Sequence, residues 1–248
     1  MLLNELRDYI ESLLDVSRFR DYCPNGLQVE GKAEVRKIAS GVTASQRLLE
    51  AASAWGADAI LVHHGYFWRN EDASITGIKK RRIAHLLQHD MSLLAYHLPL
   101  DAHATLGNNA QLGQRLDFVE QGRFGEQDIA CHGRLEQTQT LNHLSVHIAS
   151  VLQRTPQVIG EGDRSIRRIA WCTGGAQGYF EEAIALGVDA FLTGEISEQN
   201  VHIAQETGVA FIAAGHHATV RYGIQALGEH LVAHCGVEHR FFDLDNPV

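Results

Sequence analysis

The chain has 248 residues, 45% of them hydrophobic and 21% charged, with 23 glycines and 4 prolines, a balance that excludes disorder, collagen and low-complexity sequence. Lys plus Arg number 21 against 30 Asp plus Glu, and the net charge of -9 argues against a general electrostatic grip on nucleic acid or anionic lipid. A chain of this length builds one large domain or two small ones. The 15 histidines are unusual and raise the expectation of a metal site or of acid/base chemistry.

The N-terminal stretch MLLNELRDYIESLLD mixes acids with leucines, where a secretory leader would carry a basic region. It reads as an amphipathic helix with Leu2, Leu3, Leu6, Ile10, Leu13 and Leu14 on one stripe. No apolar run approaches the roughly 18 residues of a membrane span. Cys23, Cys131, Cys172 and Cys235 are scattered with no C-x-x-C pair, which disfavours a thiolate zinc site and a disulfide framework and points to a reducing, cytoplasmic compartment.

An internal repeat organises the rest. The passage IASGVTASQRLLEAASAWGADAILVHHG from Ile38 matches IAWCTGGAQGYFEEAIALGVDAFLTGEI from Ile169, with Ile38/Ile169, Ala39/Ala170, Glu50/Glu181, Gly56/Gly187, Asp58/Asp189 and Ala59/Ala190 in register. Each copy has an apolar run, a polar turn, a helical stretch ending at glycine and a second apolar run, the β-α-β pattern of a parallel sheet. Helices are expected at Ile78–His89 and Ser197–Thr207, each followed by a strand that ends at His97 or His216. The spacing is shorter in the second copy, so the first carries an insertion around Trp68–Thr76.

The expected fold is therefore α/β, two similar lobes with mainly parallel sheets, placed at 1–124 and 166–248. The connecting segment, 125–165, repeats nothing and has a structural role. It belongs to a stretch from about Asp117 to Asp163 that includes a helical pattern, LNHLSVHIASVLQ, in which Leu141, Leu144, Ile148, Val151 and Leu152 share one side. A long helix from about Thr219 to His234 and an edge strand, VEHRFFDLD, close the chain.

In open parallel sheets ligands sit at the carboxyl ends of the strands. Those ends carry His63 and His64, His97 with Asp101, Glu195, and His216 with His217. The expectation is that these ends converge on one crevice shared by the lobes, where imidazoles and a carboxylate suit Zn, Mn, Fe or Ni better than Mg or Ca. Against this, His63 and His64 on a regular strand point to opposite faces. Asp101 also suits a helix N-cap, and Pro99 favours an irregular turn there. Glu195 reads first as a first-turn acid of the following helix, and next as a residue that supports a ligand from behind. The remaining histidines read as solvated or satisfied core positions. Phosphate-loop and serine-elbow motifs are absent, and Thr173–Ala176 offers only a weak anion-binding turn.

PNGLQVEG at Pro24–Gly31, GVTAS at Gly41–Ser45, GADAILVHHGYFW at Gly56–Trp68, HLPLDAH at His97–His103, GNNAQL at Gly107–Leu112, the Thr173–Glu198 block and AAGHHAT at Ala213–Thr219 together resemble the Nif-three-like family, YbgI group, designated GTP cyclohydrolase I type 2 homologues. The resemblance runs nearly end to end. It implies the Nif-three-like fold, a homohexameric ring and a dinuclear centre of divalent ions held by His63, His64, Asp101 and His216. The last ligand of that family pattern is a bridging glutamate four residues beyond the histidine, a position held here by Val220. Loss of that carboxylate implies one firmly held cation and a second that is weak, absent or supported by His97, Glu195 or solvent.

The activity so implied is metal-dependent hydrolysis of the GTP cyclohydrolase kind on a nucleotide or other small molecule, with His97 as the catalytic proton shuttle. The alternative is a non-catalytic metal-binding, metal-delivery or scaffold protein of ring form linked to the DNA-damage response. A third reading threads nucleic acid through the ring, which the net charge disfavours unless Lys79, Lys80, Arg81 and Arg82 line the hole. Those four read as a solvated helix start.

Overall fold

The computed structural model describes all 248 residues. In chain order the elements are α1 (Leu3–Leu13), β1 (Gly26–Val29), β2 (Lys37–Thr43), α2 (Gln46–Trp55), β3 (Ala59–His64), α3 (Gly77–Gln88), β4 (Ser92–Ala95), α4 (Leu98–Ala102), α5 (Asn108–Arg115) and β5 (Phe118–Phe124). They continue with β6 (Ala130–Thr140), α6 (Leu141–Leu152), β7 (Gln157–Ile159), β8 (Ser165–Trp171), α7 (Phe180–Ala185), β9 (Ala190–Thr193), α8 (Glu198–Thr207), β10 (Ala210–Ala213), α9 (His216–Cys235) and β11 (Glu238–Phe241). No helix is long and apolar enough to cross a membrane, and all four cysteines are free thiols.

The chain forms two units, one of residues 1–107 with 223–245 and the other of residues 108–222 with 246–248. The first unit is built on a five-stranded sheet of order β1-β4-β3-β2-β11. β11, β2, β3 and β4 run parallel, and β1 joins β4 antiparallel. The second is built on a six-stranded sheet of order β5-β6-β8-β9-β10-β7. Its centre, β8-β9-β10, is parallel, while β5-β6, β6-β8 and β10-β7 pair antiparallel. Parallel pairing thus prevails in the first sheet, and the second is mixed.

The expected boundaries at 124 and 166 are corrected by backbone hydrogen bonding. β6 pairs with β8 from Cys131↔Trp171 to Thr140↔Ser165, which makes the expected connector an integral part of the second sheet. β11 pairs with β2, returning the C-terminal strand to the first unit. Both pairings are between segments far apart in sequence, and local periodicity carries no information on them.

The repeat is faithful in register. Ile38 pairs with Ala59 in the first sheet and Ile169 with Ala190 in the second. Further on, Ala59 pairs with Ser92 and Ala190 with Ala210, so the second copy carries one residue more before its histidine, Gly215. The strands β3, β4, β9 and β10 are buried along nearly their whole length, as strands covered on both faces demand, while β8 and β11 carry exposed positions.

Helix ends follow local chemistry. The Ser45 side chain accepts from Leu48 N and α2 stops at Gly56 in the left-handed region; Thr140 accepts from His143 N at the start of α6. In α1, Leu3, Leu6 and Ile10 are buried together with Leu14, but Leu2 is half exposed because it lies at the N-cap, before the helical stripe begins. They pack with Leu61, Leu94, Tyr96, Leu100 and, from the later turns of α9, Ile224, Leu227 and Leu231. A second cluster in that unit seats Leu48, Leu49 and Ala52 of α2 on Ile60 and Val62. In the second unit Leu141, Leu144, Ile148 and Leu152 of α6 cover Ile166, Ile169, Leu192 and Ile212.

Candidate metal centre

Parallel pairing of β3 with β4 brings Val62 opposite Ala95, so the last two residues of β3, His63 and His64, stand beside Tyr96 and His97, which follow β4. The ring centroids of His63 and His64 are 4.6 Å apart, and that of His97 is 5.0 Å from His63 and 5.8 Å from His64. One donor nitrogen from each imidazole lies within 4.8 Å of the other two. The opposite-face arrangement of a regular strand does not separate the first two, because β3 ends at His64 and the chain turns at Gly65. A Cβ at Gly65 would stand 2.2 Å from Gln28 Oε1 and 2.6 Å from Ala95 Cβ. Gln28 fills that space, accepting from Tyr66 N and donating to Pro24 O and Tyr66 O, and so pins PNGLQ to HHGY.

Asp101 reaches the same place by a helical turn. Pro99 does not disrupt it: Leu98–Ala102 is a short helix in which the proline occupies a first-turn position where no N–H is required. Asp101 is therefore neither an N-cap nor on an irregular turn. Its Oδ1 is 3.5 Å from His63 Nε2, and the two residues are 6% and 1% exposed.

This contact carries the case for a cation. His63 Nδ1 is 3.0 Å from the carbonyl oxygen of Tyr96, which can only accept, so Nδ1 bears the proton and Nε2 of the neutral ring presents a lone pair. At 3.5 Å in a buried site the Nε2 and the carboxylate oxygen are joined either by a proton on Nε2, as an imidazolium–carboxylate pair, or by a cation bound between them. Their separation suits two ligands of one tetrahedral ion with bonds of about 2.0–2.2 Å. A ring nitrogen fastened to a carbonyl behind a ligating histidine is the arrangement that fixes its tautomer. His64 Nδ1 is held comparably, 3.2 Å from Thr43 Oγ1.

Asp21 was not among the residues singled out from the sequence, and it anchors the third imidazole. Its Oδ1 is 2.8 Å from His97 Nδ1; its Oδ2 accepts from Leu98 N and Asn25 Nδ2, and Asn25 Oδ1 in turn accepts from His97 N. Burial by itself raises the Asp21 carboxyl, but these hydrogen bonds and the imidazole charge bring it down to about 2. For His97 burial opposes the cation, yet hydrogen bonds with Asp21 and Cys23 and the charges of Asp101 and Asp21 push it up to about 10. Cys23 itself lies with Asp21 and His97 in one cluster of donor atoms. The only signal for this hub was the polar run D-Y-C-P-N before GLQ, which has no spacing that singles out a partner 76 residues away.

The two groups affect stability at opposite ends of the pH range. His97 is raised above its ordinary 6.5, so its stabilisation is complete below that pH and is lost as pH rises through about 10. Asp21 is depressed below 3.8, so its contribution is present above that value and is lost as pH falls through about 2. In protein stripped of divalent ions, nitrogen-15 NMR is expected to show the His97 ring doubly protonated up to about pH 9, and Asp21→Asn to lower its midpoint by about 1–3 pH units. A His97 midpoint unchanged by Asp21→Asn would show that the carboxylate does not hold the proton.

In the second unit the parallel strands β9 and β10 end at Thr193 and Ala213, and the turns beyond them hold Glu195 and His216. Glu195 lies ahead of α8, which starts at Glu198, so it is not a first-turn acid. Its Oε1 is 2.6 Å from His216 Nδ1, a carboxylate behind an imidazole that fixes Nε2 as the lone-pair nitrogen. Gly174, at φ +72°, makes room: a Cβ there would stand 3.2 Å from His216 Nε2 and 3.5 Å from Val220 Cγ1. Val220 is 1% exposed, an apolar side chain one helical turn beyond His216.

Lys79 is not one of a solvated quartet, since it pairs with Glu71 at 3.0 Å with its side chain largely buried. Histidines elsewhere have local partners: His239 with Ser40, His85 with Ser53 and His230 with Tyr9.

Residues 1–247 match the Duf34/NIF3 (NGG1p interacting factor 3) family. The chain is 54% identical over 248 residues to a protein of Neisseria meningitidis serogroup A named GTP cyclohydrolase 1 type 2 homolog, covering 100% of both. Among solved structures it is similar to "protein ybgI, unknown function", with 46% identity, 100% of both chains covered and a TM-score of 0.98. It is also similar to TTHA1606 from Thermus thermophilus, with 32% identity, 100% coverage of both and a TM-score of 0.91. With a match over its whole length and relatives this similar, the chain belongs to the Duf34/NIF3 family.

Proposed function

We propose that the protein is a metal-dependent hydrolase acting on a nucleotide, with a divalent ion held by His63, His64 and Asp101. The observation that carries this reading is the buried 3.5 Å approach of the His63 lone pair to Asp101 Oδ1, with His64 and His97 alongside. The name shared by relatives at about half identity, GTP cyclohydrolase 1 type 2 homolog, supports the substrate class.

A bound divalent ion supplies Lewis acidity and lowers the pKa of water toward about 7. His63 provides a nitrogen donor whose tautomer the Tyr96 carbonyl sets from behind, and His64 a second imidazole held by the Thr43 hydroxyl. Asp101 supplies compensating negative charge. His97, charged through its pairing with Asp21, would give a proton at the imidazole to a developing anion and regain one from solvent, with the Asp21 carboxylate stabilising the recharged ring. Within the second unit, His216 is an imidazole oriented by Glu195. Ring-shaped homohexamer formation belongs to the same proposal.

The second reading, a protein that binds and hands on a cation without turnover, is favoured by Val220. A buried valine beside His216 removes the negative charge that would retain another ion.

Elemental analysis of untagged protein, with GTP turnover followed on the same samples, tests both readings. The hydrolase reading expects at least one divalent ion per chain and turnover that chelation abolishes and the ion restores. Metal without turnover transfers the case to cation handling. Protein that takes up no divalent ion defeats both.

A further inference from the structure

The first copy of the repeat spends residues 65–76 between β3 and α3, where the second has only 194–197 between β9 and α8. Within this insertion two non-glycine residues, Phe67 at φ 65° and Asn70 at φ 69°, adopt left-handed backbone. A bulky phenylalanine there is a steric outlier, and such conformations persist only where the surroundings over-determine them. Here the surroundings do. The Lys79 ammonium sits 5.2 Å from the Phe67 ring centroid, pairs with Glu71 at 3.0 Å and donates to Asp72 O, while Glu71 Oε2 accepts from Trp68 N at 2.9 Å.

The residues between the two strained positions are Trp68, which stands at the imidazole cluster, and Arg69, which is fastened to the Asp21–Tyr22 segment beside it. The Trp68 indole donates to Gly65 O, and its ring lies 5.0 Å from that of His97, at 83°, and 6.1 Å from that of His64. Arg69 is fastened to the loop that carries Asp21: its N–H donates to Tyr22 O, a guanidinium nitrogen donates to Asp21 O at 2.8 Å, and the guanidinium lies 5.5 Å from the Tyr22 ring centroid. Tyr22 is 51% exposed. A packing role alone needs neither an exposed cation nor an exposed aromatic ring at this rim.

We infer that Trp68 and Arg69 form a recognition platform for a nucleotide, with its planar base stacked on the Trp68 indole and its anionic phosphates at the Arg69 guanidinium. The proposal rests on the imidazole cluster being the reaction site and adds what that site selects. Indole faces accept any base, and a planar, permanently charged guanidinium suits phosphate oxygens. A ligand with both groups gains from both residues, whereas each half alone gains from one.

Calorimetric titration of the full-length, untagged protein with GTP, guanosine and inorganic triphosphate tests this, on ion-loaded and stripped samples whose metal content is measured in parallel. Trp68→Ala is expected to weaken GTP and guanosine about tenfold or more and to leave triphosphate unchanged, and Trp68→Phe to retain most of the affinity. Arg69→Met is expected to weaken GTP and triphosphate and to spare guanosine. Thermal unfolding of each variant monitors folding, and the selective pattern among the three ligands is one that a misfolded variant cannot produce. Equal affinities for all three ligands in parent and Trp68→Ala overturn the platform. Parent protein that holds its cation but binds none of the ligands also overturns it while leaving the cation reading intact; failure to hold the cation, with GTP still bound in the selective pattern, defeats the cation reading and leaves the platform standing.

Discussion

Replacement of His63 by alanine is expected to lower affinity for a divalent ion by more than about a hundredfold, and with it any chelator-sensitive turnover. The imidazole supplies a ring nitrogen in a position only 1% exposed, its orientation set by the Tyr96 carbonyl. The variant also leaves that carbonyl without its donor, at a cost to stability of about 1–3 kcal/mol. Asp101→Asn separates the two effects, because it keeps shape while removing the charge opposite His63 Nε2. Competition against a chromophoric chelator measures both variants. An affinity equal to the parent's in His63→Ala, in protein that melts cooperatively, would remove this cluster from consideration as a metal centre.

Val220→Glu is expected to act in opposite directions with and without a divalent ion. Val220 is 1% exposed and packed near Gly174, so a carboxylate placed there without a partner costs about 2–5 kcal/mol of stability in chelator. The new side chain would share a face with His216, one turn away on α9. A divalent ion taken up by that pair binds the folded state and returns stability, about 2.7 kcal/mol at a hundred times the dissociation constant. Differential scanning calorimetry in chelator and in excess Zn or Mn gives both values. An ion-dependent rise in melting temperature no larger than the parent's would show that His216 is not placed to act as a ligand. No loss of stability in chelator would show that residue 220 reaches water.

The residues of the site were legible to different degrees, for reasons that lie in the range of the interactions. His63, His64, His97 and Asp101 in the first unit, and His216 in the second, stood out because each lies at or just beyond the end of a parallel strand and the repeat marks which ends are equivalent. Glu195 was legible as a polar strand-end residue but not in its role, since the bond to His216 crosses from one turn to another. Asp21 and Asn25 were missed altogether. Their partners, His97 and Leu98, come near only when β1 joins the edge of the sheet beside β4 in antiparallel register, Gly26 opposite Ala95. Trp68 showed in the sequence as the end of the GADAILVHHGYFW motif and the start of an insertion, and the strained backbone that presents it has no local signature.

The α/β class, the repeated β-α-β units, the buried stripes of α1 and α6 and the strand ends at which polar chemistry collects can all be read from the chain's local pattern. These depend on periodicity and on turn and cap residues within a few positions, where 3.6- and 2-residue spacings dictate which side chains are buried. Tertiary structure alone decided that the 125–165 segment completes the second sheet, that β11 returns to β2 and that Asp21 holds His97. Those outcomes rest on backbone and side-chain hydrogen bonds between distant segments. Their partners are chosen by competition among edges and buried polar groups throughout the fold, and no local pattern encodes the result.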